Sequence, residues 1–121
     1  MIAVILASGA LDRLYTGLSL LVCTAAEGET ARGLVTFGAL APMLDEALEE
    51  RATAERGAVF GRSLAELRAT ALELPECRLW ACAAAVQTTG ADRAAIDARL
   101  AGVLSTPRFL EDTAGARLVV V

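Results

Sequence analysis

The sequence predicts one α/β domain, a three-layer sandwich in which helices cover both faces of an approximately five-stranded, mostly parallel sheet. Short apolar segments alternate with longer segments of helical periodicity along the 121 residues. The short segments are apolar at consecutive positions, which is typical of parallel strands buried on both faces. No linker, repeat or low-complexity stretch interrupts the alternation, so we expect residues 1–121 to form a single domain.

The first predicted strand spans residues 2–7, which are apolar and rich in β-branched side chains. Ser8, Gly9 and Ala10 follow it as a turn. A helix should come next and end at Gly28. Its core-facing stripe consists of Leu11, Leu14, Leu18, Leu21 and Ala25.

The second predicted strand covers residues 33–38 and has Gly38 at its exit. Pro42 suits the first turn of a second helix, because its missing N–H would have no partner there. Leu44 and Leu48 would form the inner face of that helix.

Residues 52–61 are predicted to be irregular, since Gly57 and Gly61 interrupt the helical pattern. Val59 and Phe60 lie between these glycines. Three alternatives stay open for this segment. It folds over the sheet edge as a lid, packs against a neighbouring subunit, or forms a solvent-exposed loop.

The second half of the chain continues the alternation. Ser63 and Glu66 have the spacing of a capping box, which predicts that a third helix begins at Ser63. Cys77–Cys82 is the third predicted strand, a short helix should run to about Thr89, and Asp92 can cap another.

The last predicted elements are short. Val103 and Leu104 form the centre of a fourth strand. Thr106 and Pro107 have the pattern of a cap followed by proline at the first helical position. The final strand is predicted at residues 117–121.

Composition excludes several classes of function. The net charge is −4 and Lys and Arg are not clustered, which argues against a nucleic-acid partner. No apolar run reaches the roughly 18 residues of a membrane span. Three cysteines without a secretory signal favour the cytoplasm. The hydrophobic fraction of 55% exceeds the usual value of about 45–50%, which favours a homo-oligomer.

The sequence predicts no cofactor and no metal. It has no histidine, no Cys-x-x-Cys pair and no glycine-rich phosphate-binding motif. A thiol is therefore the best candidate for chemistry. Cys82 ends a predicted strand where a helix begins, and the positive end of a helix dipole favours the thiolate. The alternative is that Cys82 simply fills space in the core.

The other two cysteines are weaker candidates. Cys77 begins the same strand, roughly 16 Å from Cys82, so a disulfide between them is excluded. We expect Cys77 to be an incidental surface thiol. Cys23 should lie on the side of the first helix opposite to the core stripe, facing solvent or another subunit.

Ligands of open α/β sheets bind outside the carboxyl ends of the strands. The residues expected to line a pocket beside Cys82 at that edge are Ser8, Gly9, Phe37, Gly38 and Ala83. Phe37 would serve as an apolar wall of the pocket or, with equal weight, as ordinary core.

Five segments recur in the order found in a known family. They are Ile-Leu-Ala-Ser-Gly at residues 5–9, Asp-Arg at 12–13, Thr-Phe-Gly at 36–38, Ala-Cys at 81–82 and Leu-Ala-Gly-Val at 100–103. Together they resemble the DsrE/DsrF-like superfamily, which includes sulfur-relay subunits of the DsrE and TusD type. The resemblance covers the whole chain and implies a five-stranded, mostly parallel sheet and a trimer or hexamer.

In the sulfur-relay members a cysteine near the exit of the third strand carries a persulfide, and Cys82 matches that position. A serine follows two or three residues later in one branch, whereas Ala83, Ala84 and Ala85 follow here. The resemblance therefore implies a persulfide carrier with protein sulfur donors and acceptors. The alternative is an oligomeric binding or assembly module of the same fold without thiol chemistry.

Overall fold

The computed structural model describes residues 1–121 as a sheet of five parallel strands surrounded by helices. The strands are β1 (Ile2–Leu6), β2 (Ala31–Val35), β3 (Cys77–Cys82), β4 (Val103–Leu104) and β5 (Arg117–Val120). Their order across the sheet is β4-β3-β2-β1-β5, and every neighbouring pair is parallel. The predicted α/β class and the number of strands are therefore confirmed.

Seven helices connect the strands. They are α1 (Leu11–Ala26), α2 (Leu40–Leu44), α3 (Leu48–Arg56), α4 (Ala58–Glu73), α5 (Ala83–Thr89), α6 (Arg93–Arg99) and α7 (Thr106–Asp112). A 3₁₀ turn, Phe37–Ala39, precedes α2. The predicted core stripe of α1 is confirmed, since all five of its side chains are buried.

One face of the sheet is packed tightly against α1. A Cβ atom on Gly17 would collide with the side chain of Leu6, so glycine lets α1 lie this close to β1 without displacing that side chain. Helix α4 packs beside α1, and the hydroxyls of Tyr15 and Ser63 join them across 2.7 Å. This face holds most of the core because long helices cover it.

Helix α7 lies on the opposite face. From β1 to β4, each connection steps across the sheet in the same direction, whereas the connection from β4 through α7 to β5 runs in the opposite direction. Because crossovers between parallel strands are right-handed, this reversal places α7 on the face opposite to α1. Phe109 anchors α7 in the core with no exposed surface. On β5, however, Leu118 and Val120 are 51% and 62% exposed. This edge of the sheet therefore presents apolar side chains to solvent.

The second strand is shorter than predicted and begins earlier. Strand β2 ends at Val35, and Phe37 turns the chain with a positive φ of 33°. The reason is a backbone contact between two loops. A Cβ atom on Gly9 would lie 2.8 Å from the carbonyl oxygen of Gly38, so the loops after β1 and β2 touch directly. Gly38 consequently belongs to the 3₁₀ turn instead of a strand exit.

The predicted second helix is two helices. Pro42 does lie in the first turn of α2, but α2 ends at Leu44. The guanidinium of Arg68 donates hydrogen bonds to the carbonyl oxygens of Pro42, Met43 and Asp45 at 2.9, 3.3 and 2.7 Å. These carbonyl oxygens therefore have hydrogen-bond donors although the helix does not continue.

The prediction of an irregular segment at residues 52–61 is wrong. Helix α3 reaches Arg56 and α4 starts at Ala58, so Gly57, with φ of 96°, is the entire connection. Gly61 permits the close packing of these two helices, because a Cβ there would lie 2.8 Å from the carbonyl oxygen of Glu49. Of the two apolar residues, Val59 is exposed to solvent and Phe60 stacks on a tyrosine ring of α1.

Of three predicted caps, one is wrong, one shifts by one residue and one is confirmed. Ser63 lies inside α4, where its hydroxyl contacts Tyr15 instead of capping a helix. Ser105, one residue before the predicted cap, accepts from the N–H of Arg108 and begins α7. Asp92 caps α6 as predicted and accepts from the N–H of Ala94 at 3.0 Å.

Candidate functional site

Cys82 is the last residue of β3 and the N-cap of α5. Its extended backbone, φ −67° and ψ 127°, turns the chain from the strand into the helix. The predicted position of this thiol between a strand and a helix is therefore confirmed. The side chain is buried, however, because the whole residue is only 2% exposed.

Thr106 is the polar neighbour of Cys82. Its Oγ1 atom lies 3.7 Å from the Cys82 sulfur, within the range of a hydrogen bond involving sulfur. Thr106 is the first residue of α7 and is solvent-exposed. The buried sulfur thus lies within hydrogen-bond distance of a side chain that belongs to a solvent-exposed residue.

Sequence reasoning missed Thr106 because 24 residues separate it from Cys82. The sheet brings the two together, since β3 and β4 are parallel neighbours and Cys82 pairs with Leu104. Residues that follow adjacent parallel strands meet at the same edge. A prediction that the third and fourth strands are parallel neighbours would have placed Thr106 close to Cys82.

Four of the predicted pocket residues meet at the carboxyl edge of the sheet. Gly9 and Gly38 touch through their backbones, and Ser8 Oγ accepts from the N–H of Ala10 at 3.1 Å, which closes the turn after β1. Phe37 extends outward from this junction and is 52% exposed. The edge is therefore built from tight turns, as expected, with one aromatic ring facing outward.

A cavity of about 400 Å³ lies at this edge, between α2 and the α5–α6 connection. Phe37 lines it, together with Leu40, Leu44, Asp92 and other residues of these helices. Cys82 and the other four predicted pocket residues do not line it. The structure thus separates the thiol from the cavity that was expected beside it.

Ala83, the fifth predicted pocket residue, is the first residue of α5 and is partly buried. Ala85 is fully buried, which allows α5 to lie close to the sheet. No side-chain hydroxyl of α5 lies in the turn that follows Cys82. The hydroxyl within hydrogen-bond distance of the Cys82 sulfur belongs instead to Thr106 of α7.

Cys77 is buried, so the expectation of a surface thiol is wrong. Burial raises the pKa of this thiol to about 11, and the positive charge of Arg32 only partly opposes the shift. Cys23 is exposed on α1, as predicted. All three cysteines are free thiols, and Cys77 and Cys82 lie at opposite ends of β3.

No group of three or more Cys, Asp or Glu side chains is arranged to hold a metal ion. No helix combines the length and the apolar character needed to cross a membrane. The resemblance to the DsrE/DsrF-like superfamily stays a prediction from sequence. No protein-family model matches this chain, and no curated protein is significantly similar to it.

Proposed function

We propose that the protein is a sulfur carrier in which Cys82 accepts and releases sulfane sulfur. The observation that carries this proposal is the contact between Cys82 and Thr106 at the carboxyl edge of the sheet. There the thiol lies at the start of α5 and one side chain below the surface. Neither Cys77, which has a raised pKa, nor Cys23, which is exposed in the last turn of α1, has such a setting.

The reaction requires no cofactor, because sulfur is both the attacking and the leaving atom. The Cys82 thiolate attacks the outer sulfur of a donor persulfide, R–S–SH. A bond forms between the two sulfur atoms, the donor S–S bond breaks, and R–S⁻ leaves. The product is Cys82–S–SH, and the same exchange in reverse delivers the outer sulfur to an acceptor thiolate. No net oxidation or reduction occurs.

The Thr106 hydroxyl supports this chemistry because it lies within hydrogen-bond distance of the reacting sulfur. Burial of Cys82 serves a second purpose in the proposal. A buried persulfide is protected from water and from unrelated thiols until a partner protein docks and displaces the segment around Thr106. The donor and acceptor are therefore proteins that contact this edge of the sheet.

We further propose that the carrier is a homo-oligomer, a trimer or hexamer, in the cytoplasm. The exposed Leu118 and Val120 on strand β5 support association, because an apolar edge strand is a template for contact with another chain. A reducing compartment suits a protein with three free thiols.

A second candidate function is favoured by the low exposure of Cys82 itself. In this case the protein is an oligomeric binding or assembly module, and Cys82 is a packing residue followed by small alanines. The cavity lined by Phe37 would then be the binding site, since it does not include the thiol.

Intact mass spectrometry after incubation with a protein persulfide donor distinguishes the two functions. The wild type should gain one sulfur atom, and Cys82→Ser should not. Cys23→Ser is the matched control, because it removes the exposed thiol and should leave the gain unchanged. If the wild type gains no sulfur, or if Cys82→Ser still gains it, the carrier proposal is wrong and the binding module takes its place.

A further inference from the structure

We infer that a cavity beside the amino end of β3 binds a small organic anion, a carboxylate or phosphate ester with an apolar body. The cavity has a volume of about 380 Å³ and lies between the end of α4, the start of β3 and the end of α6. Its size falls within the range of about 300–1,000 Å³ that is typical of ligand sites.

Two arginines without protein partners line this cavity. Arg78 is exposed and Arg99 is partly buried, and neither forms an ion pair or a side-chain hydrogen bond. Four other arginines of the chain do pair with aspartates, namely Arg51, Arg56, Arg93 and Arg108. No nitrogen of either guanidinium is a buried atom without a partner, so both groups are free to form charge-assisted hydrogen bonds with a bound anion.

The positive charge extends behind the cavity wall. Burial, and after it the charge of Arg99, lower the pKa of the Arg68 guanidinium, and the carboxylate of Asp45 partly opposes the shift. Glu73 also lines the cavity but forms no ion pair with either free arginine. In this acidic protein, the two arginines that line the cavity thus form no ion pair with a carboxylate.

The remaining lining is mostly apolar and includes Leu72, Leu74, Leu79 and Leu100. Cys77 also lines the cavity, and its raised pKa keeps the thiol neutral, so it does not repel an anion. The surface therefore offers guanidinium forks for a carboxylate or phosphate and leucine side chains for an attached hydrocarbon group.

This site is independent of the proposed sulfur chemistry. Cys77, in its lining, and Cys82 lie at opposite ends of β3, roughly 16 Å apart at the usual rise of a strand. An anion bound here would therefore not contact the Cys82 sulfur. Failure of either proposal leaves the other unaffected.

Isothermal titration calorimetry with three probes of equal chain length tests the inference. Hexanoate and hexyl phosphate should bind saturably at one site, and hexanol should not. Because charge-assisted hydrogen bonds are lost, Arg78→Gln and Arg99→Gln should each weaken binding about tenfold. The matched control is Arg117→Gln, which removes an exposed arginine from the distant strand β5 and should not change the dissociation constant.

The two anions also identify the preferred headgroup, since the tighter one indicates whether a carboxylate or a phosphate ester is the natural ligand. Circular dichroism checks that each variant is folded. If Arg99→Gln does not fold, the exposed Arg78 still provides the test. Equal binding of hexanol and hexanoate, no binding of either anion, or equal weakening by Arg117→Gln would overturn the inference.

Discussion

The Thr106 hydroxyl lies 3.7 Å from the Cys82 sulfur, although Cys82 is the N-cap of α5 and Thr106 is the first residue of α7. Cys82 ends β3 and Thr106 follows β4, so the pairing of these two strands fixes their distance. The contact provides the thiol with both a polar partner and a cover. Its two effects can be separated by substitution.

Thr106→Ala should speed the labelling of Cys82 by a thiol reagent several-fold in the folded protein, because it removes the side chain above the sulfur. Thr106→Val keeps a cover of similar shape without the hydroxyl and should label about as slowly as the wild type. Peptide mass mapping in a Cys23→Ser background measures the rates. Equal rates in all three proteins would show that Thr106 does not cover the thiol.

The stability of the protein should fall between pH 9 and pH 11 because of Cys77. Burial raises its pKa from 9.0 to about 11, so the folded state retains a proton that the unfolded chain releases near pH 9.0. The stabilising effect is complete below pH 9 and is lost as the pH approaches 11. Urea unfolding at pH 8 and pH 11 should show a smaller loss for Cys77→Ala than for the wild type.

Arg68→Leu should destabilise the protein by about 2–4 kcal/mol, because three backbone carbonyls around the end of α2 lose their donor. Arg62→Leu is the matched control on the same helix, since Arg62 is exposed and makes no ion pair. It should change stability by less than about 0.5 kcal/mol. Chemical denaturation compares them, and similar losses would contradict this role for Arg68.

Val120→Lys should lower the molar mass in solution to that of the monomer, since it places a charge on the exposed apolar edge at β5. Val59→Lys is the control, because Val59 is 81% exposed and lies on α4, away from β5. Light scattering after size-exclusion chromatography gives the masses. A monomeric wild type would contradict the homo-oligomer, and dissociation by Val59→Lys alone would assign the interface to α4.

The strands were the most predictable part of the fold. The bounds of β3 and β4 agree with the predicted Cys77–Cys82 and Val103–Leu104 segments. Short apolar runs between turn residues in an α/β chain are usually buried strands. Asp92 was also predictable as a cap, because its side chain accepts a hydrogen bond from a residue only two positions away. Local patterns predict well where local contacts decide the structure.

Distant contacts decided the features that were missed. Ser63 matched a capping box, but its hydroxyl contacts Tyr15, 48 residues earlier in the chain. The end of α2 depends on a guanidinium more than 20 residues further along. Arg78 and Arg99 likewise share a cavity only because α6 returns to the start of β3. No periodicity or short motif marks such pairs.

The shortness of β4 has a consequence for the timing of any reaction at Cys82. A two-residue strand at the edge of the sheet is held by few hydrogen bonds, so we expect it to detach more often than the whole chain unfolds. Leu104 pairs with Cys82 and Thr106 follows two residues later, so detachment would uncover the sulfur. Without a docking partner, the frequency of this local opening sets the upper limit on how fast the thiol can react.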